Sequence, residues 1–92
     1  MKLSDVPQNQ GVAGKIGNRP VAVYNDDGKL VVLENICTHA GCQTNWNDKD
    51  KTWDCPCHLA RFDKFGKVLN GPALKDLPQL PYKIENEEIV LE

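Results

Sequence analysis

The chain is expected to fold as an all-β or mostly-β domain with a cysteine-rich insertion. Three observations point there. Segments rich in β-branched residues come in pairs separated by short turn sequences. Six prolines and seven glycines are spread along the 92 residues and interrupt any long helix. All four cysteines and both histidines fall between Cys37 and His58, which makes that stretch an insertion with its own purpose.

In chain order, Arg19-Pro20-Val21-Ala22-Val23-Tyr24-Asn25 and Lys29-Leu30-Val31-Val32-Leu33-Glu34 read as strands, and Asp26-Asp27-Gly28 between them supplies hairpin turn chemistry. Short strand signals follow at Lys51-Thr52-Trp53-Asp54 and at Lys67-Val68-Leu69, the second just after a Phe65-Gly66 turn. A closing hairpin is expected from Tyr82-Lys83-Ile84-Glu85 and Glu88-Ile89-Val90-Leu91, which alternate apolar with polar residues around Asn86-Glu87. The whole chain, 1–92, reads as one domain with its insertion at roughly 36–73.

A chain this short buries only about 60 to 65% of its unfolded surface, so a metal site or a disulfide is a common supplement to its core. The composition is 40% hydrophobic and 26% charged, with a formal net charge of −2. Lacking a basic block, the chain does not read as a nucleic-acid binder. Lacking a long apolar run, it has no expected membrane span. Met1-Lys2-Leu3-Ser4-Asp5 does not open a signal peptide, so the expected location is the cytoplasm.

The chemistry lies in two boxes, Cys37-Thr38-His39-Ala40-Gly41-Cys42 and Cys55-Pro56-Cys57-His58. Taken as residues alone, they admit three readings. Four cysteines allow two structural disulfides in three connectivities, with idle histidines. Zinc could be held by two cysteines and two histidines or by four thiolates, although the spacings here, C-x-H and C-x-C-H, differ from the usual C-x-x-C boxes. A 2Fe–2S cluster of mixed ligation needs two thiolates for one iron and two imidazoles for the other, a set that Cys37, His39, Cys55 and His58 satisfy.

At these residues the sequence resembles the Rieske iron–sulfur proteins. The likeness lies in CTHAGC followed after twelve residues by CPCH. It continues through Arg61-Phe62-Asp63 and Gly66-Lys67-Val68-Leu69-Asn70-Gly71-Pro72-Ala73, and the fold it implies, an antiparallel β-sandwich base with a cluster-binding pair of loops, covers nearly the whole chain. The resemblance implies that Cys37 and Cys55 bind the inner iron, and His39 and His58 the outer iron near solvent. It implies that Gly71-Pro72-Ala73 forms a loop over the cluster. It also implies a disulfide between Cys42 and Cys57, as in the subgroup of cytochrome bc complexes and unlike most ferredoxins of ring-hydroxylating oxygenases. Closing a 15-residue span, that disulfide is worth about 3 kcal/mol in the chain-entropy account.

In the high-potential respiratory members of the family, the residues after the second box typically include Gly-Ser and then Tyr, whose hydroxyls donate hydrogen bonds to a cluster sulfide and a ligand thiolate. The matching positions here are Leu59, Ala60 and Phe62. Donors aimed at sulfur stabilise the added electron. Losing two bonds of roughly 1.5 to 3 kcal/mol each lowers the potential by something on the order of 100 to 250 mV. An intermediate potential is therefore expected. Trp46 and Trp53 read as core aromatics, Asp54 as a surface strand end, Arg61 as a solvated cation and Glu85-Asn86-Glu87-Glu88 as a solvated turn. Leu59 reads equally as packing or as an apolar rim beside the histidines.

The resulting expectation is a one-electron carrier and not an enzyme by itself, serving a redox partner such as a flavoprotein reductase or an oxygenase or oxidase component. The alternative is a redox module of a larger flavin-dependent oxidoreductase, because residues 46–77 are similar to Rieske domains fused to the C-terminal end of such enzymes.

Overall fold

The computed structural model describes residues 1–36, 41–57, 59–71 and 75–92. Cys37, His39, His58 and Pro72 lie outside the described residues.

The expected hairpins are present. Strands β2 (Arg19–Asp26) and β3 (Lys29–Glu34) pair antiparallel from Val21 opposite Glu34 to Asp26 opposite Lys29. Asp27 and Gly28 turn the chain with φ of 55° and 97°, the left-handed pair that a two-residue hairpin requires. The last hairpin, β8 (Tyr82–Glu85) with β9 (Glu88–Leu91), turns through Asn86 and Glu87 at φ of 49° and 64°. Strand β1 (Gly11–Ile16), not expected from the sequence, pairs with β2 along its whole length. Its two glycines and exposed lysine hide the alternation that would have marked it.

A second sheet has the order β4 (Asn45–Asn47), β5 (Thr52–Asp54), β6 (Arg61–Asp63) and β7 (Val68–Asn70). Only β5 and β7 were signalled by the sequence, because three-residue strands carry too few positions to show a period. The segment after β7 returns to the first sheet. Glu34 N–H donates to the Pro78 carbonyl at 2.8 Å and Leu80 N–H to the Val32 carbonyl at 2.8 Å, which extends that sheet beyond β3. The N-terminus fastens to the last hairpin in the same manner, Ile89 N–H donating to the Met1 carbonyl at 2.8 Å.

The β1–β2–β3 sheet is covered on both faces, which is why Val21 to Asn25 are all buried instead of alternating. Ala22, Tyr24 and Leu33 face the second sheet and pack with Trp53, Cys55, Ala60, Phe62 and Leu77. Val21, Val23, Leu30 and Val32 face the other way and pack with Val6 and Ile89. The two sheets approach closely at two glycines. A methyl group at Gly11 would collide with the indole of Trp46, and one at Gly66 would stand 2.9 Å from a Leu33 methyl. Among the described residues no helix is long and apolar enough to cross a membrane.

Candidate metal centre

Two connections between strands carry the cysteine–histidine boxes. The second box is a tight hairpin loop. Asp54 pairs with Arg61 as the last register of β5 and β6. The loop beyond is closed by Cys55 N–H to the Ala60 carbonyl at 2.8 Å and by Leu59 N–H to the Cys55 carbonyl at 3.0 Å. To close it, Leu59 takes a φ of 62°, a conformation that L side chains with a Cβ adopt at a cost. Leu59 is also 78% exposed, so it forms an apolar knob beside position 58 and not a core contact.

Cys55 is 1% exposed and is the free cysteine among the described residues. Cys42 and Cys57 form a disulfide with a Cα–Cα distance of 6.5 Å, which ties the first box to the second across 15 positions. The Sγ atoms of Cys42, Cys55 and Cys57 lie within 4.8 Å of one another. Two of the three are consumed by the disulfide, so only Cys55 offers a thiolate there.

The first box leaves β3 and enters β4 through a neck built of side chains. Asn35 and Thr44, 0% and 1% exposed, face each other across it. The Thr44 N–H and hydroxyl donate to Asn35 Oδ1 at 2.8 and 2.6 Å, and Asn35 Nδ2 donates back to the Thr44 carbonyl at 3.2 Å. Sequence reasoning missed this pair. The available signal was weak, a short polar residue two positions outside the box on each side.

Below the second box, Trp53 and Phe62 are directly paired and fully buried, with Ala60 fully buried beside them. Trp46 is half-buried and stacks between Trp53, at 4.8 Å between ring centroids, and Tyr24, at 5.3 Å. The outward face of the sheet carries a polar network. Arg61 donates to Asp54 at 3.0 Å, to Asp50 at 2.6 Å and to the Thr52 hydroxyl at 3.0 Å, and Asn47 donates to Asp54 at 2.9 Å. Arg61 is therefore a bracing cation and not a simply solvated one. Burial works to raise the Asp54 carboxyl, but the bonds from Asn47, Thr52 and Arg61 outweigh it and hold that group below its ordinary range. Asp50 and then Asp54 raise the Arg61 guanidinium further still.

A buried free thiol at the root of a short loop, with a disulfide closing the space beside it, fits a metal-thiolate ligand. An antiparallel β base bearing such a pair of tied loops has the makings of a metal-binding domain. A model of the Rieske [2Fe-2S] domain matches residues 1–81, and the chain belongs to that family.

A Bacillus subtilis (strain 168) protein named as a Rieske 2Fe-2S iron–sulfur protein, YhfW, is 41% identical over 81 residues, 87% of this chain and 16% of that protein. The ferredoxin component of the naphthalene 1,2-dioxygenase/salicylate 5-hydroxylase systems of Ralstonia sp. is 33% identical over 91 residues, 97% of this chain and 88% of that one. The cyanobacterial plasma membrane Rieske protein PetC3 from Synechocystis PCC 6803 superposes with a TM-score of 0.75 at 36% identity, covering 89% of this chain and 85% of that chain. The chain spans 16% to 50% of the length of the first curated relatives it matches. The cofactor of the family is the 2Fe–2S cluster, and its domains transfer electrons.

Proposed function

We propose that this chain is a one-electron carrier whose 2Fe–2S cluster is held by Cys37, His39, Cys55 and His58, at a potential well below that of a quinol-oxidising centre. The observation that carries the ligand set is the Cys42–Cys57 disulfide. It removes two of the four cysteines and leaves Cys37 in one box and Cys55 in the other, each with a histidine. When bound, the cluster takes up and releases a single electron. The protein contributes a buried thiol at Cys55, loops tied to each other, and an exposed edge at residues 57 and 59.

The lowered potential rests on Ala60 and Phe62. Both are fully buried in the same apolar group as Cys55 and neither has a hydroxyl to donate. The exposed, strained Leu59 presents an apolar contact for a redox partner, an oxygenase, oxidase or flavoprotein reductase component. The whole chain acts as one domain, with the cluster-binding insertion at 36–73.

The test is a potentiometric titration at neutral pH followed by EPR. A rhombic signal with an average g below the free-electron value, titrating as one electron well under about +300 mV, is expected. A midpoint at that upper end refutes the lowered potential, and a protein without iron refutes the ligand set.

A second reading is favoured by the length comparison, because this chain matches only 16% of the YhfW protein. In this reading the chain is a redox module of a larger flavin-dependent oxidoreductase. Purifying the product from its native cells and measuring mass and flavin absorbance distinguishes the two.

A further inference from the structure

We infer that Asn35 and Thr44 are the positioning pair of the first box, so that their side-chain bonds set where the chain bearing Cys37 and His39 leaves the sheet. The inference rests on the ligand reading proposed above. Asn35 is the first residue after β3, and Thr44 is the last before β4. With its Oδ1 accepting from the Thr44 N–H and its Nδ2 donating to the Thr44 carbonyl, the Asn35 amide satisfies both peptide groups of Thr44, as a paired strand would. The Thr44 hydroxyl adds a third bond to the same oxygen. The Asn35 backbone N–H donates to the Pro20 carbonyl at 3.1 Å, which fastens the neck to β2.

No strand pairing joins β3 to β4, which belong to separate sheets. The side-chain pair supplies the register that backbone pairing does not. With the disulfide from Cys42 to Cys57, the segment 36–43 is anchored at two independent points. Cys37 lies two residues from one of them. A buried amide held by three hydrogen bonds is restricted to a narrow arrangement, so it transmits a fixed geometry to the adjacent backbone. Hydrogen-bonding groups outside the ligand shell commonly govern metal retention in this way.

The test compares Asn35→Ala, the milder Thr44→Val and, as a control in the opposite core layer, Ile89→Ala. The readouts are cluster loss to an iron chelator, followed by visible absorbance, and EPR line width. Asn35→Ala is expected to release the cluster about tenfold faster and to broaden the EPR lines, with Thr44→Val between it and the parent. Ile89→Ala is expected to lower unfolding stability while leaving the line shape unchanged. If both neck variants keep the parent line width and lose cluster only in proportion to stability, the inference is overturned. Should Asn35→Ala fail to fold, Thr44→Val decides by the same criteria. If the parent protein binds no iron, the ligand reading fails by itself. Hydrogen exchange then tests the neck, since Gln43 and Thr44 amides are expected to exchange about tenfold faster in Thr44→Val while β2 amides do not. Equal exchange overturns the pair's role.

Discussion

Phe62 shows how one side chain bears on the chemistry. It is fully buried, paired with Trp53, and packed in the group that includes Cys55. Phe62→Tyr adds one hydroxyl at a fully buried site. If it donates to the Cys55 thiolate, the reduced state gains a charge-assisted bond of roughly 1.5 to 3 kcal/mol, and the midpoint rises by about 60 to 130 mV. That rise, measured in the redox titration, is the expected outcome. An unchanged midpoint with stability lower by about 1 to 3 kcal/mol means that the hydroxyl is orphaned and that the donor position lies elsewhere. Gly11 makes a purely steric case. Its backbone lies against the Trp46 ring, so Gly11→Ala displaces the indole from its stack with Trp53 and is expected to cost about 1 to 3 kcal/mol in urea unfolding. Tryptophan fluorescence shifting in the folded state checks the cause.

At the scale of elements, the two loops are held by devices of different physical kinds. The second box is closed by backbone bonds and braced by opposite charges at Asp54 and Arg61. The first is held by the Asn35–Thr44 neck, and the disulfide joins the two. The disulfide acts mainly on the unfolded chain, whose freedom it restricts. Replacing both Cys42 and Cys57 by serine is expected to lower stability by about 3 kcal/mol, read from denaturant unfolding against the parent. A loss well under 1 kcal/mol would mean that the neck and the hairpin already hold the loops without it.

Over the whole molecule, one sheet serves two cores. β2 contributes Ala22 and Tyr24 to the layer that holds Cys55, and Val21 and Val23 to the layer closed by Ile89. The layers therefore share backbone and are expected to unfold together. Ile89→Ala, at a site 1% exposed, is expected to cost about 2 to 5 kcal/mol. Far-UV circular dichroism and the visible absorbance of the cluster should still be lost in a single transition. Two separate transitions would show that the N-terminal and β8–β9 layer folds independently of the metal-bearing sheet.

What the sequence determined by itself was local. The hairpin at Asp27-Gly28 and the one at Asn86-Glu87 were legible because turn chemistry is written in adjacent residues. The two cysteine–histidine boxes were legible because their residue types sit within a few positions of one another. The tertiary structure decided what depends on distant partners. β1 exists because β2 offers it an edge, and β4 and β6 because β5 lies between them. Arg61 became a brace because Asp50, Thr52 and Asp54 converge on it from the neighbouring strand and turn. Asn35 and Thr44 look like ordinary polar residues in the sequence. Only folding, which buries both across the neck of a loop, brings the Asn35 amide and the Thr44 peptide and hydroxyl groups together.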